Sequence, residues 1–321
     1  MCCALLCAIL VFTCPMTALA LRVSEIERVA EDYNVSEDFL DEIWGESKIS
    51  VSEFKNYAVE YQLPAQFVQR FVSDSFVFKQ GKQFQYIPVD ESLPMNDYNW
   101  DYLNDYTFEK TYEVDGAIKS IKGIDVSVHQ GNINWDRVRN DGVEFVFIRL
   151  GYRGYTEGKL YVDKNFHKNI QGAQAAGLKV GVYFYSQAVT VNEAVNEANL
   201  VLRELEGYDL DYPVAFDIEG APARNARTVG MSVQRATDIV NAFCGTIKES
   251  GYTPILYTYA KYMIESLDLS QLTQYDTWMA QYYKVPFYPY QMACWQYTGT
   301  GRVDGISTHV DLNIAFKDLS V

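Results

Sequence analysis

The chain of 321 residues is 48% hydrophobic and 21% charged, with 9 Pro and 20 Gly. That balance excludes a disordered, collagen-like or disulfide-stapled protein. The net charge of −15, from 42 acids and 27 bases, repels a phosphate backbone, so nucleic acid is not an expected partner.

Residues 1–21 carry no charged side chain. They read either as a secretion signal, with Ala18-Leu19-Ala20 as the small-x-small cleavage pattern, or as a retained membrane anchor of just sufficient length. The expected location is secreted or on the extracellular face of the envelope, with membrane anchoring by residues 1–21 as the alternative. Four of the six cysteines lie in this segment. Cys244 and Cys294 remain, as a disulfide or as two buried thiols. No CxxC and no Cys/His cluster is present, so neither a metal nor a cofactor is expected.

An internal repeat follows. VSEIERVAEDYNVSEDFLDEIW from Val23 and VSEFKNYAVEYQLPAQFVQRFV from Val51 each read as two short helices. Ser24 with Glu27 suggests a capping box, Ser36 a second cap, and Pro64 a first helical turn. The expectation is a small helical two-unit repeat over residues 21–78. Its acidity argues against a DNA reader, and nothing in it names a partner. Residues 79–120 mix short alternating stretches with Pro88, Pro94 and Asn/Asp clusters and read as an extended linker.

From residue 121 apolar strands alternate with helices. Strands are expected at 121–127, 144–151, 179–186, 213–219, 253–258, 277–282 and 293–298, and helices at 163–177, 191–206 and 231–250. Near-continuous apolar strands indicate a buried parallel sheet. The fold class is α/β. Close spacing and a final third without full helices favour an irregular TIM-like β/α barrel over 121–321. An open doubly wound sheet is the alternative, but no phosphate loop is present.

In such a barrel the chemistry sits at the C-terminal strand ends. Those ends carry Asp125, Arg149, Tyr183, Tyr185, Asp217, Glu219, Tyr257, Gln281 and Trp295. In PVAFDIEG, Asp217 and Glu219 are i and i+2 and share one face. Two acids at the end of a buried strand are costly unless they are paired or used, and each raises the other's pKa, as a general acid requires. Asp125 adds a third acid. No GxSxG elbow and no HExxH occurs, which leaves carboxylate chemistry, above all glycoside hydrolysis.

GIDVSVHQGNINW at 123–135, the PVAFDIEG strand, DKNFHKNIQGAQAAGLKVGVYFYS at 163–186 and WQYTGTGRVDGISTHVDLN at 295–313 together resemble the family-25 glycoside hydrolases. These are bacterial and phage lysozymes that cut peptidoglycan after N-acetylmuramic acid. The resemblance covers about 121–319 and implies an irregular barrel of five β/α units followed by strands. It implies Asp125 as the first-strand acid, Asp217 and Glu219 as the DxE pair, and Asp311 as the late acid. Peptidoglycan is the expected partner. Glu219 is expected to protonate the leaving oxygen, and Asp217 to polarise the 2-acetamido group. A carboxylate nucleophile and an inverting route stay open. Tyr183, Tyr185, Tyr257, Trp278, Gln281 and Trp295 are the candidate substrate-binding residues. The rival readings are a glycan-binding barrel that no longer cuts, which would lose the DxE acids, and a chitin-type hydrolase, which would carry a longer DxxDxDxE run.

Overall fold

The computed structural model describes residues 20–106, 109–221 and 223–321. The signal or anchor reading of residues 1–21 therefore lies almost wholly outside the described residues. Among those described, no helix is long and apolar enough to cross a membrane. The chain divides into two units at Val89.

The first unit holds helices at Val23–Ala30, Glu37–Glu42, Val51–Glu60 and Ala65–Phe71. Short strands Ala20–Arg22 and Lys48–Ser50 pair antiparallel. The capping box forms at Ser50 and Glu53, not at Ser24 and Glu27. Arg22 is the N-cap of the first helix, so Ser24 lies inside it. Ile26, Phe39, Phe54 and Phe67 are fully buried and form the centre of the core. Ring pairs such as Phe54–Phe67, at 5.9 Å between centroids, set their geometry.

The expected linker over 79–120 is not a linker. A hairpin of Ser75–Gln80 with Gln83–Pro88 belongs to the first unit. The Gln69 amide donates to the Val72 and Ser75 carbonyls and accepts from the Val77 N–H, tying helix to hairpin. Residues 90–120 belong to the second unit. Strands Leu103–Tyr106, Glu109–Val114 and Ala117–Ile118 form a small antiparallel sheet. Tyr98, Trp100 and Tyr112 pack around Phe316. The unit boundary thus falls at 89/90 rather than near 120.

The second unit is built on an eight-stranded closed barrel. Its strands are β1 (Ile121–Val126), β2 (Phe145–Arg153), β3 (Lys179–Ser186), β4 (Val214–Ile218), β5 (Pro254–Tyr259), β6 (Asp276–Ala280), β7 (Cys294–Gly301) and β8 (Val310–Ala315). Pairings are parallel from β1 to β7. β8, absent from the sequence expectation, closes the ring antiparallel to both β7 and β1. Helices α1 (Trp135–Asn140), α2 (Phe166–Ala175), α3 (Val191–Glu204), α4 (Val233–Glu249) and α5 (Ala260–Ser266) lie between successive strands up to β6. Of these, α1 and α5 were not expected.

Alternate residues fill the barrel interior. Phe145, Phe147, Ala215, Ile255, Trp278 and Cys294 form its lower core. Gly123 and Gly181 make this packing possible. A Cβ at Gly123 would sit 2.1 Å from the Phe145 ring, and one at Gly181 2.5 Å from Phe147. Cys244 and Cys294 are both buried and free, so no disulfide links them.

Candidate active site

The β-strand period of two turns the sequence motifs into a mouth. Above the apolar core, the inward positions become polar. Asp125 on β1 is register partner to Asp311 on β8, and Asp217 on β4 lies between Tyr185 on β3 and Tyr257 on β5. These residues open onto a cavity of about 290 Å³, lined also by Arg149, Tyr183, Glu219, Trp278, Tyr282 and Gln296. All four predicted acids meet there. Asp217 and Asp125 are buried, while Glu219 and Asp311 are partly exposed.

A hydrogen-bonded frame fixes the floor. Gln296 Oε1 accepts from the Tyr257 and Tyr282 hydroxyls, each at 2.9 Å. Its Nε2 must then face Asp125, and it donates to Oδ2 at 2.7 Å. Asn313 Nδ2 donates to the same oxygen at 2.9 Å, and its Oδ1 accepts from the Trp278 indole N–H at 2.8 Å. Trp278 is therefore floor, stacked on Phe147 at 4.4 Å, and Tyr183 and Tyr185 form the wall.

Four carboxylates in a half-dry cavity cannot all ionise freely. Burial pushes the Asp125 carboxyl well above the usual range, and Asp311 adds to this, against the hydrogen bonds from Asn313 and Gln296. Burial, then Glu219 and Asp125, push Asp217 well up, opposed by Arg149. Burial and then Asp311 raise Glu219. Burial lifts Asp311 to about 6. Each shift in the cluster is toward holding the proton to higher pH, the direction that proton transfer to a leaving group requires. One buried polar atom in it, Asp217 Oδ1, has no hydrogen-bond partner among the described residues. No grouping of His, Cys, Asp or Glu among the described residues is arranged to hold a metal ion.

Two expected residues are not brought to the cavity. Trp295 points to the outer face, because Cys294 and Gln296 take the inward positions of β7. Its indole N–H donates to the Gln281 carbonyl at 2.8 Å, and the Lys110 ammonium lies 5.7 Å above its ring. Gln281 uses its side chain to accept from the Phe287 N–H at 2.7 Å. Tyr282, Gln296 and Asn313 enter the site without standing among the strand-end candidates, and Arg149, which does stand among them, enters it without an expected role. Arg149 and Gln296 carry the strand-alternation signal, whereas Tyr282 lies beyond a strand end.

The model of the glycosyl hydrolases family 25 matches residues 124–306. The autolytic lysozyme of Clostridium acetobutylicum is 31% identical over 194 residues, covering 60% of this chain and 55% of its own length. The chain thus spans about half of that relative. An uncharacterised Escherichia coli K12 protein, YegX, is 31% identical over 224 residues, covering 67% of this chain and 77% of its own. Among solved structures, the bacterial lysozyme of Streptomyces coelicolor superposes with a TM-score of 0.50 at 27% identity, covering 60% of this chain and 90% of that one. The family match extends over more than half of the sequence and contains Asp125, Asp217 and Glu219, and on that ground the chain belongs to glycosyl hydrolase family 25.

Proposed function

We propose that the chain is a peptidoglycan hydrolase, a lysozyme that cleaves the β-1,4 bond between N-acetylmuramic acid and N-acetylglucosamine at the cell envelope. The observation that carries the reading is the acid pair at the C-terminal end of β4. Glu219, partly exposed and with a raised pKa, stands two residues from buried Asp217, whose Oδ1 has no hydrogen-bond partner among the described residues.

Glu219 in its protonated form donates to the leaving glycosidic oxygen. Asp217 accepts from the N–H of the sugar's 2-acetamido group and polarises it, and the acetamido carbonyl attacks the anomeric carbon. Glu219, now a carboxylate, takes a proton from the water that opens the cyclised intermediate. Asp125 and Asp311 set the charge of the cavity, and Tyr183 and Tyr185 offer faces to the sugar rings. The names of the related lysozymes support the substrate class, and the retained DxE acids weigh against a binding-only barrel.

Glu219→Gln keeps the shape and cannot deliver a proton, so release of reducing ends from purified peptidoglycan is expected to fall by about 10²–10⁴-fold, with an unchanged circular dichroism spectrum. Near-normal release would remove Glu219 from its role. Proton NMR of the fresh reducing end should show retained configuration. An inverted product would exclude acetamido attack.

A further inference from the structure

Among the described residues, the cavity is lined by four acids and a single cationic side chain, Arg149. That side chain is held more tightly than a mere lining residue needs. Asp163, whose side chain is fully buried, receives the Arg149 Nε at 2.8 Å and Nη2 at 2.7 Å, both on Oδ2. The same oxygen accepts the Val128 N–H at 3.1 Å, and Oδ1 accepts the Asn165 N–H at 2.9 Å. Tyr152 lies under the guanidinium at 5.3 Å. A carboxylate with this many donors is rigid, and it fixes the fork it binds. It uses only Nε and Nη2 of that fork.

We propose that Arg149 is the counter-charge of the acid cluster, acting on Asp217, and that Asp163 is the positioning residue that holds it there. The inference rests on the reading of Asp217 as the group that must be ionised during turnover. Asp217 shares the cavity with Asp125 from β1, Tyr183 and Tyr185 from β3, Glu219 from the residue just after β4, Tyr257 from β5, Tyr282 from the segment after β6 and Asp311 from β8. Burial, Glu219 and Asp125 favour protonation of Asp217, and Arg149 opposes them. Without a fixed cation, the proton needed on Glu219 would be shared with Asp217, and two acids would compete for one role. The Asp163 carboxylate is engaged by Arg149 and by two backbone N–H groups.

The test is the pH dependence of kcat/KM on purified peptidoglycan, using the full chain. Failure of the unmodified protein to release reducing ends would sink the functional reading itself and, with it, the inference. If the unmodified protein cuts, Arg149→Met should move the ascending, acid-side limb to higher pH by about one unit or more. Arg149→Lys, which keeps the charge but loses the fork, should lie between. Asp163→Asn should move the limb in the same direction in the native background and add nothing in the Arg149→Met background. Should Arg149→Met fail to fold, Arg149→Gln takes its place. The inference falls if the limbs of the neutral variant and the native protein superpose. It falls equally if Asp163→Asn shifts the limb by the same amount with and without Arg149.

Discussion

Asp311→Asn should make the protein more stable and less active, and the gain should appear only above acid pH. Asp311 is partly buried across from Asp125, and its pKa is lifted from 3.8 to about 6. A carboxyl with a raised folded-state pKa binds its proton more tightly when folded than unfolded. Its contribution is therefore fully present below about pH 4. It is lost as pH rises from about 4 to about 6, and above that the folded state carries a constant penalty. At about 1.4 kcal/mol per pH unit, the gap between 3.8 and 6 amounts to about 3 kcal/mol. An amide at 311 removes this penalty. In a unit of this size each kcal/mol moves Tm by about 2–4 °C, so Tm should rise by about 6–12 °C at pH 7.5 and by almost nothing at pH 3. Calorimetric melts of both proteins across that range are the assay. A gain that is equal at both pH values, or absent at both, would refute the electrostatic origin of the strain.

Gly123→Ala should place a methyl carbon 2.1 Å from the Phe145 ring and destabilise the barrel by about 1–3 kcal/mol. An unchanged Tm would show that the ring can yield. Trp295→Phe should leave KM for peptidoglycan unchanged, since the ring lies on the outer face, while the lost bond to the Gln281 carbonyl lowers Tm. A raised KM would return Trp295 to the cleft.

The barrel and its acids were legible because each rests on a local rule. KVGVYFYS is a strand over its full expected length, Lys179–Ser186, since apolar runs between helices leave few alternatives. Asp217 and Glu219 follow from the strand period. What could not be read locally depends on partners remote in sequence. Met95 forms a bridge with Tyr290 and Asn96 donates to the Tyr288 carbonyl, so a Pro- and Asn-rich stretch that resembles a linker is folded against the barrel. The phase of β7 is hidden from the sequence for the same reason. Trp295 and Gln296 are adjacent, and only the donors converging on Gln296 decide which of them faces inward. Asn313, on the strand that was not foreseen, reaches Asp125 by the same kind of distant pairing.

That last strand has a kinetic consequence. Asp125 and Asn313, in direct contact, are 188 residues apart in the chain. Ring closure through β1 and β8 is thus a very non-local event, which loop-closure entropy makes slow relative to pairing of neighbouring strands. During synthesis the first acid emerges long before the strand that seats it. Asp311 and Asn313 arrive among the last residues of the barrel. A nascent or C-terminally clipped chain holds Asp217 and Glu219 but lacks the strand that completes the pocket around Asp125. Activity is therefore expected to switch on once β8 is in place rather than to accumulate with chain length.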